Sequence, residues 1–86
     1  MNKEPWKVLL IDDDEAIRRV VSIVLADEGY QMLTAADGQS GLQLCKETSP
    51  QIVITDIRMP GMDGIEVLKR VKDEDPDKEV IVVTGF

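Results

Sequence analysis

The chain has 86 residues, of which 43% are hydrophobic and 3% aromatic, and its formal net charge at pH 7 is −7. This length and composition predict one small domain with a modest, aliphatic core. The ten Lys and Arg residues are scattered, so we expect no direct nucleic-acid contact by this segment. No apolar run approaches the roughly 20 residues of a membrane span, and MNKEPWK lacks the apolar part of a signal peptide. We therefore expect a cytoplasmic protein without a membrane partner.

The first third of the chain predicts a strand followed by a helix. The continuous apolar run of residues 8–11 is typical of a strand that is buried on both faces. Asp14 is the predicted N-cap of the helix, and Gly29 is its predicted stop. Arg18 and Arg19 are expected on the polar side of this helix. Its apolar stripe has three- and four-residue spacing and consists of Ile17, Val20, Val21, Val24 and Leu25.

The remaining residues continue the alternation of strands and helices. Tyr30–Ala35 predicts a more polar strand near a sheet edge. A helix is expected from Asp37-Gly38 to about Thr48, with Cys45 packed towards the core, and a third strand at residues 52–55. Ile65, Leu68 and Val71 predict the stripe of another helix ending near Asp75-Pro76, and residues 80–83 predict a fourth strand. This order predicts an α/β fold with a parallel sheet and helices on its faces.

Acidic and hydroxyl side chains follow three of the predicted strands. Asp12 and Asp13 come after the first strand, Asp56 ends the third and Thr84 follows the fourth. If these strands are neighbours, the side chains converge at the carboxyl edge of the sheet, where ligands of open α/β sheets bind. Carboxylates grouped in this way repel one another unless a cation is present, and all-oxygen ligation suits Mg²⁺ or Mn²⁺. A carboxylate in such a pocket could attack a phosphorus atom and form an aspartyl phosphate.

Each of these residues also has a simpler structural interpretation. Asp12 and Asp13 could serve as helix caps, although Asp14 already offers that function. Asp56 could initiate a turn, and Thr84 could be an ordinary β-branched strand residue. Their joint placement at three strand ends favours a shared site.

Three segments resemble a known family. LLIDDDEAIRR, ITDIRMPGMDG and VIVVTGF occur in the order and at the separations typical of the receiver domain of two-component response regulators. From about Lys7 onward, the chain therefore resembles a receiver domain, which implies a flavodoxin-like (CheY-like), doubly wound parallel sheet. Complete receivers continue with a fifth strand carrying a Lys and with further helices. We therefore expect residues 1–86 to be the N-terminal portion only, and Phe86 does not replace the aromatic switch residue of the fifth strand.

The resemblance also implies a role for each site residue. Asp56 would be the phosphoacceptor, receiving its phosphoryl group from a phosphohistidine on a sensor histidine kinase. Asp12 and Asp13 would be the acidic pair of the Mg²⁺ site, with Asp13 and Asp56 as direct ligands and the backbone carbonyl of Arg58 as a further one. Thr84 would contact the phosphoryl group and transmit the switch. The loop residues that shape the pocket would be Met59, Pro60 and Gly64. Such a protein modifies its own aspartate and is not a turnover enzyme.

Two other functions remain open from the sequence. The chain could be a receiver-fold interaction module that does not signal by phosphorylation, since no Lys here occupies the phosphoryl-binding role. Alternatively, Asp12-x-Asp14 is similar to the nucleophile pair of aspartate-dependent phosphohydrolases, but Ala16 stands where that superfamily usually has Thr or Val. The fourth strand is expected to be an exposed apolar edge, which predicts self-association.

Overall fold

The computed structural model describes residues 4–84, in which strands and helices alternate along the chain. The strands are β1 (Lys7–Ile11), β2 (Gln31–Ala35), β3 (Ile52–Asp56) and β4 (Glu79–Val83), and the helices are α1 (Glu15–Asp27), α2 (Gly38–Thr48) and α3 (Gly64–Glu74). All strand pairs are parallel, in the order β2-β1-β3-β4. The predicted α/β class is confirmed, and the first, third and fourth strands are neighbours. Phe86 lies outside the described residues.

The sheet face that carries α2 and α3 contains the hydrophobic core. Leu9, Ile11 and Val53 from the strands pack there with Val67 and Val71 of α3. The predicted α3 stripe was wrong at one position, because Ile65 is exposed and the fully buried residue is Val67. The side chains of residues 67 and 71 lie one turn apart on the same side of the helix, whereas residue 65 points away from it. Cys45 is half-buried against this core, as predicted.

The opposite sheet face is only partly covered. α1 packs over β2 and β1, and none of its residues is buried. The predicted α1 stripe is therefore only partly correct: Val21 and Leu25 are half-buried, but three of its members remain exposed, namely Ile17, Val20 and Val24. On β4, Ile81 and Val83 are also exposed. Periodicity identifies the apolar side of a helix, but it does not show whether another element covers that side.

The predicted N-cap of α1 is confirmed, and Asp37, predicted only to lie at the start of α2, is the N-cap of that helix. The Asp14 carboxylate caps α1 by accepting a hydrogen bond of 2.9 Å from the Ala16 N–H. The Asp37 carboxylate caps α2 by accepting a 2.7 Å bond from the Ser40 N–H.

Throughout residues 4–84, every helix is too short or too polar to cross a bilayer.

Candidate metal-binding site

Three aspartates meet at the carboxyl ends of β1 and β3. Asp12 and Asp13 follow β1 directly, and Asp56 is the last residue of β3. Because β1 and β3 pair with Ile11 opposite Thr55, their ends lie side by side. One carboxylate oxygen from each aspartate can be chosen such that all three atoms lie within 4.8 Å of one another. The topology thus brings together residues that are more than 40 positions apart in the chain.

The cluster has an electrostatic cost when no cation is bound. Partial burial raises the pKa of the Asp12 carboxyl above its ordinary value, and the negative charges of Asp56 and Asp13 add to this effect. A hydrogen bond of 2.9 Å from the Asp14 N–H to Asp12 Oδ1 acts in the opposite direction and lowers this pKa. The group offers carboxylate oxygen ligands and no nitrogen or sulfur ligand. This donor set fits a hard divalent cation, which would offset the repulsion.

The backbone around Asp56 is fixed by contacts with the start of α3 and with the end of β4. The Gly64 N–H donates to the Ile57 carbonyl at 2.8 Å, and the Ile57 N–H donates to the Val83 carbonyl at 3.0 Å. A Cβ atom on Gly64 would collide with the Asp56 carbonyl oxygen and would lie 2.9 Å from the Asp56 carbonyl carbon. Only glycine allows the start of α3 to approach the end of β3 this closely. The sequence therefore builds Asp56 into a rigid strand end.

The other predicted site residues lie around this edge in different environments. Met59 is buried and packs into the core, whereas Arg58 and Pro60 are exposed in the loop that follows β3. Thr84 is exposed and directly follows Val83, the residue that pairs with Asp56 in the β3–β4 ladder. Thr84 is therefore at the same edge of the sheet as the three aspartates.

One residue near the site was assigned incorrectly from the sequence. Arg18 was expected on the polar side of α1, but it is half-buried and its Nη1 donates a 2.7 Å hydrogen bond to the Asp12 carbonyl oxygen. Arg19 does lie on the exposed side, where it pairs with Glu15 at 3.4 Å. The spacing of Arg18 relative to the half-buried Val21, three residues later on the same helix face, could have revealed its orientation.

Comparison with known proteins identifies the family. The profile of the response regulator receiver domain matches residues 8–86, and the chain belongs to this family. It is 41% identical over 80 residues to sporulation initiation phosphotransferase F of Bacillus subtilis, covering 93% of this chain and 64% of that protein. The chain thus spans just under two thirds of the length of this curated relative.

Solved structures of related proteins have the same fold. The response regulator TrrA of Thermotoga maritima, solved in complex with Mg²⁺-BeF, superposes with a TM-score of 0.90 at 32% identity, covering 94% of this chain and 70% of TrrA. TrrA in complex with the histidine kinase ThkA gives a TM-score of 0.89 at the same 32% identity, 94% and 70% coverage. These similarities agree with the order and parallel pairing of the strands described above.

Proposed function

We propose that this chain is a phosphoryl-accepting signalling module that receives a phosphoryl group on Asp56 from a sensor histidine kinase. The observation that carries this proposal is the grouping of the Asp12, Asp13 and Asp56 carboxylates at the ends of adjacent strands. The complex of the similar protein TrrA with the histidine kinase ThkA supports a kinase as the partner.

The same three aspartates would hold Mg²⁺, with the backbone carbonyl of Arg58 as a further ligand. Mg²⁺ takes oxygen ligands and keeps several waters, so a small set of carboxylates is sufficient. When bound, the ion supplies positive charge that favours the ionised carboxylates and neutralises an incoming phosphoryl group. Mn²⁺ accepts the same ligands. The Mg²⁺-BeF complex of TrrA supports this assignment.

The proposed transfer step is a displacement at phosphorus. A carboxylate oxygen of Asp56 forms a bond to the phosphorus atom, while the bond between phosphorus and the histidine nitrogen of the donor breaks. The electron pair of that bond stays on the imidazole nitrogen, and the ring leaves as the unmodified neutral side chain once it has taken up a proton from solvent. The product is an aspartyl phosphate on the protein itself, so the module is not a turnover enzyme acting on an external substrate.

The phosphoryl group would change the conformational equilibrium at the carboxyl edge of the sheet. It adds negative charge and acceptor oxygens next to the end of β4, where the Thr84 hydroxyl can be drawn towards it. The exposure of Thr84 is consistent with freedom to move. The phosphoryl group can shift the equilibrium towards the active conformation only as far as it interacts more favourably with that conformation than with the inactive one.

We also propose that residues 1–86 form the N-terminal portion of a receiver domain and act in the cytoplasm. The coverage of 64% of the Bacillus subtilis relative supports the first part of this proposal. The net charge of −7 supports the absence of direct nucleic-acid contact by this segment, so any regulation of transcription would be exerted through other regions or partners.

Intact-mass measurement tests the phosphoacceptor. We expect a single phosphoryl adduct after incubation with Mg²⁺ and a small acyl phosphate, and none when Mg²⁺ is omitted. Asp56→Asn should abolish the adduct, whereas the matched change Asp73→Asn, at an exposed position of α3, should retain it. An adduct that persists in Asp56→Asn would refute the assignment. If no adduct forms, the same test is made on a chain extended through a fifth strand. An adduct on the extended chain would support the proposal, and its absence there would refute the proposal.

A second proposal concerns self-association through β4. Within residues 4–84 this strand pairs only with β3, and its Ile81 and Val83 side chains are 49% and 46% exposed. An apolar strand at a sheet edge is a template for pairing with another chain. We expect Val83→Lys to weaken a concentration-dependent dimer, whereas Ile65→Lys, at an exposed apolar position on α3, should not. A monodisperse monomer in light scattering at high protein concentration would contradict this proposal.

A further inference from the structure

Arg18 donates a side-chain hydrogen bond to the loop that carries Asp12 and Asp13. Within residues 4–84, no other basic side chain forms a hydrogen bond to this loop. The Arg18 Nη1 donates to the Asp12 carbonyl oxygen at 2.7 Å, and the residue is half-buried. The ion pairs within the described residues include none between Arg18 and a carboxylate. The guanidinium therefore binds the backbone of the acidic loop and leaves the carboxylates free.

The Asp12 peptide is held from several directions. The Asp12 N–H donates to the Ala35 carbonyl at 3.1 Å, and its side chain accepts from the Asp14 N–H at 2.9 Å. Arg18 supplies the bond to the remaining backbone group, the carbonyl oxygen. A hydrogen bond from a charged donor is roughly twice as strong as a neutral one. With its amide, side chain and carbonyl all bonded, Asp12 has little freedom to turn its carboxylate away from Asp56.

We propose that Arg18 is a positioning residue for cation binding: it holds the Asp12 carbonyl so that the Asp12 and Asp13 carboxylates face Asp56. This inference rests on the proposed function, because it concerns the affinity of the same three carboxylates for Mg²⁺. Groups that orient metal ligands without touching the metal typically change metal affinity by about 10- to 100-fold when they are mutated.

A purely electrostatic role of Arg18 predicts the opposite change in Mg²⁺ affinity. Arg18 carries a positive charge close to a site that binds a positive ion, so its removal should favour Mg²⁺ if charge were its only contribution. If Arg18 acts by positioning, its removal should weaken Mg²⁺ binding in spite of that gain. The direction of the change therefore separates the two roles.

The experiment is an Mg²⁺ titration by calorimetry of the wild type and of three variants. We expect Arg18→Ala to raise the dissociation constant about tenfold. Arg18→Lys keeps the charge and one donor and should recover part of that loss. Arg19→Ala removes a neighbouring positive charge from the exposed side of α1 and serves as the matched control, with a near-normal constant. Tighter or unchanged Mg²⁺ binding in Arg18→Ala would overturn the proposal.

A readout without metal distinguishes failure of this inference from failure of the proposed function. Amide hydrogen exchange at Asp12 and Asp14 should become faster in metal-free Arg18→Ala, but not in Arg19→Ala, while exchange at Val53 in the core stays unchanged. If the wild type does not bind Mg²⁺ and this local acceleration is seen, the proposed metal site is wrong and the positioning of the loop by Arg18 stands. If exchange at Asp12 and Asp14 does not change, Arg18 does not position the loop.

Discussion

The two faces of the sheet differ in how completely they are packed. On the face of α2 and α3, strand and helix side chains such as Leu9, Val53 and Val67 are fully buried. On the other face, α1 has no buried residue, and apolar side chains of α1 and β4 remain exposed. Fully burying an aliphatic side chain contributes about 1.5–3 kcal/mol. Most of the stabilisation of this chain should therefore come from one face of the sheet.

The candidate site connects these two differently packed regions. Asp56 ends a strand whose backbone is fixed by Gly64 on the α3 side. Asp12 and Asp13 belong to the loop that leads into α1, where hydrogen bonds replace core packing. Asp56, the proposed phosphoacceptor, is thus held by close packing, and Asp12 is held by polar contacts.

Because the two faces differ in packing, the same Val→Ala substitution should lower the free energy of unfolding more on α3 than on α1. Val67 of α3 is 0% exposed and Val20 of α1 is 58% exposed. We expect Val67→Ala to lower the free energy of unfolding by about 2–3 kcal/mol, because it removes buried methyl groups and leaves a cavity. Val20→Ala should change it by less than about 0.5 kcal/mol. Urea denaturation measures both, and equal losses would show that α1 is buried in solution, for instance by a second copy.

The rigid attachment of Asp56 is tested at Gly64. A methyl group there meets the Asp56 backbone, so Gly64→Ala should cost about 2 kcal/mol through overpacking. Gly61 is the matched control: its φ of +79° strains an alanine, but a Cβ atom there has no neighbour within 4 Å. Only Gly64→Ala should shift the backbone NMR resonances of Asp56. Similar shifts in both variants would contradict the close contact.

The ionised Asp12 carboxyl should make the metal-free protein less stable at neutral pH. Since the folded-state pKa of Asp12 is raised, its ionised carboxyl costs stability above that pKa, and the cost disappears as the pH falls through it. Asp12→Asn should therefore stabilise the protein without Mg²⁺ at pH 7, by a fraction of a kcal/mol after solvent screening. The gain should vanish in acid. Thermal unfolding at several pH values measures this, and destabilisation at pH 7 would contradict it.

A pH-dependent effect of the opposite sign is expected at the cap of α2. Hydrogen bonds from Ser40 lower the pKa of Asp37 below its ordinary value, so its contribution to stability is present above that value and is lost as the pH falls through the depressed pKa. Asp37→Ala should lower the melting temperature at pH 7 and have less effect in strong acid. Asp73→Ala, at an exposed position of α3 that is not a helix cap, is the matched control and should leave the melting temperature at pH 7 nearly unchanged. A pH-independent loss in Asp37→Ala would point to the backbone conformation instead of the charge.

Local sequence signals predicted the elements, but not which side chains the tertiary structure covers. The apolar run of residues 8–11 and the Asp14 cap depend on neighbouring residues alone, and both were predicted correctly. The burial of Val67 in place of Ile65 depends on how α3 is rotated against the sheet. The exposure of Val20 and the contact of Arg18 with the Asp12 carbonyl depend on where α1 lies over β1 and β2. Spacing within one helix cannot specify these long-range relations.

The most direct test is whether the carboxylates of two strand ends act as one cation site. Calorimetric titration with Mg²⁺ should show one binding event in the wild type and in Asp73→Asn, and a large loss of affinity in both Asp13→Asn and Asp56→Asn. Losing either aspartate should have a comparable effect, because each supplies a ligand to the same ion. Normal Mg²⁺ binding in either variant would contradict a shared site at the ends of β1 and β3.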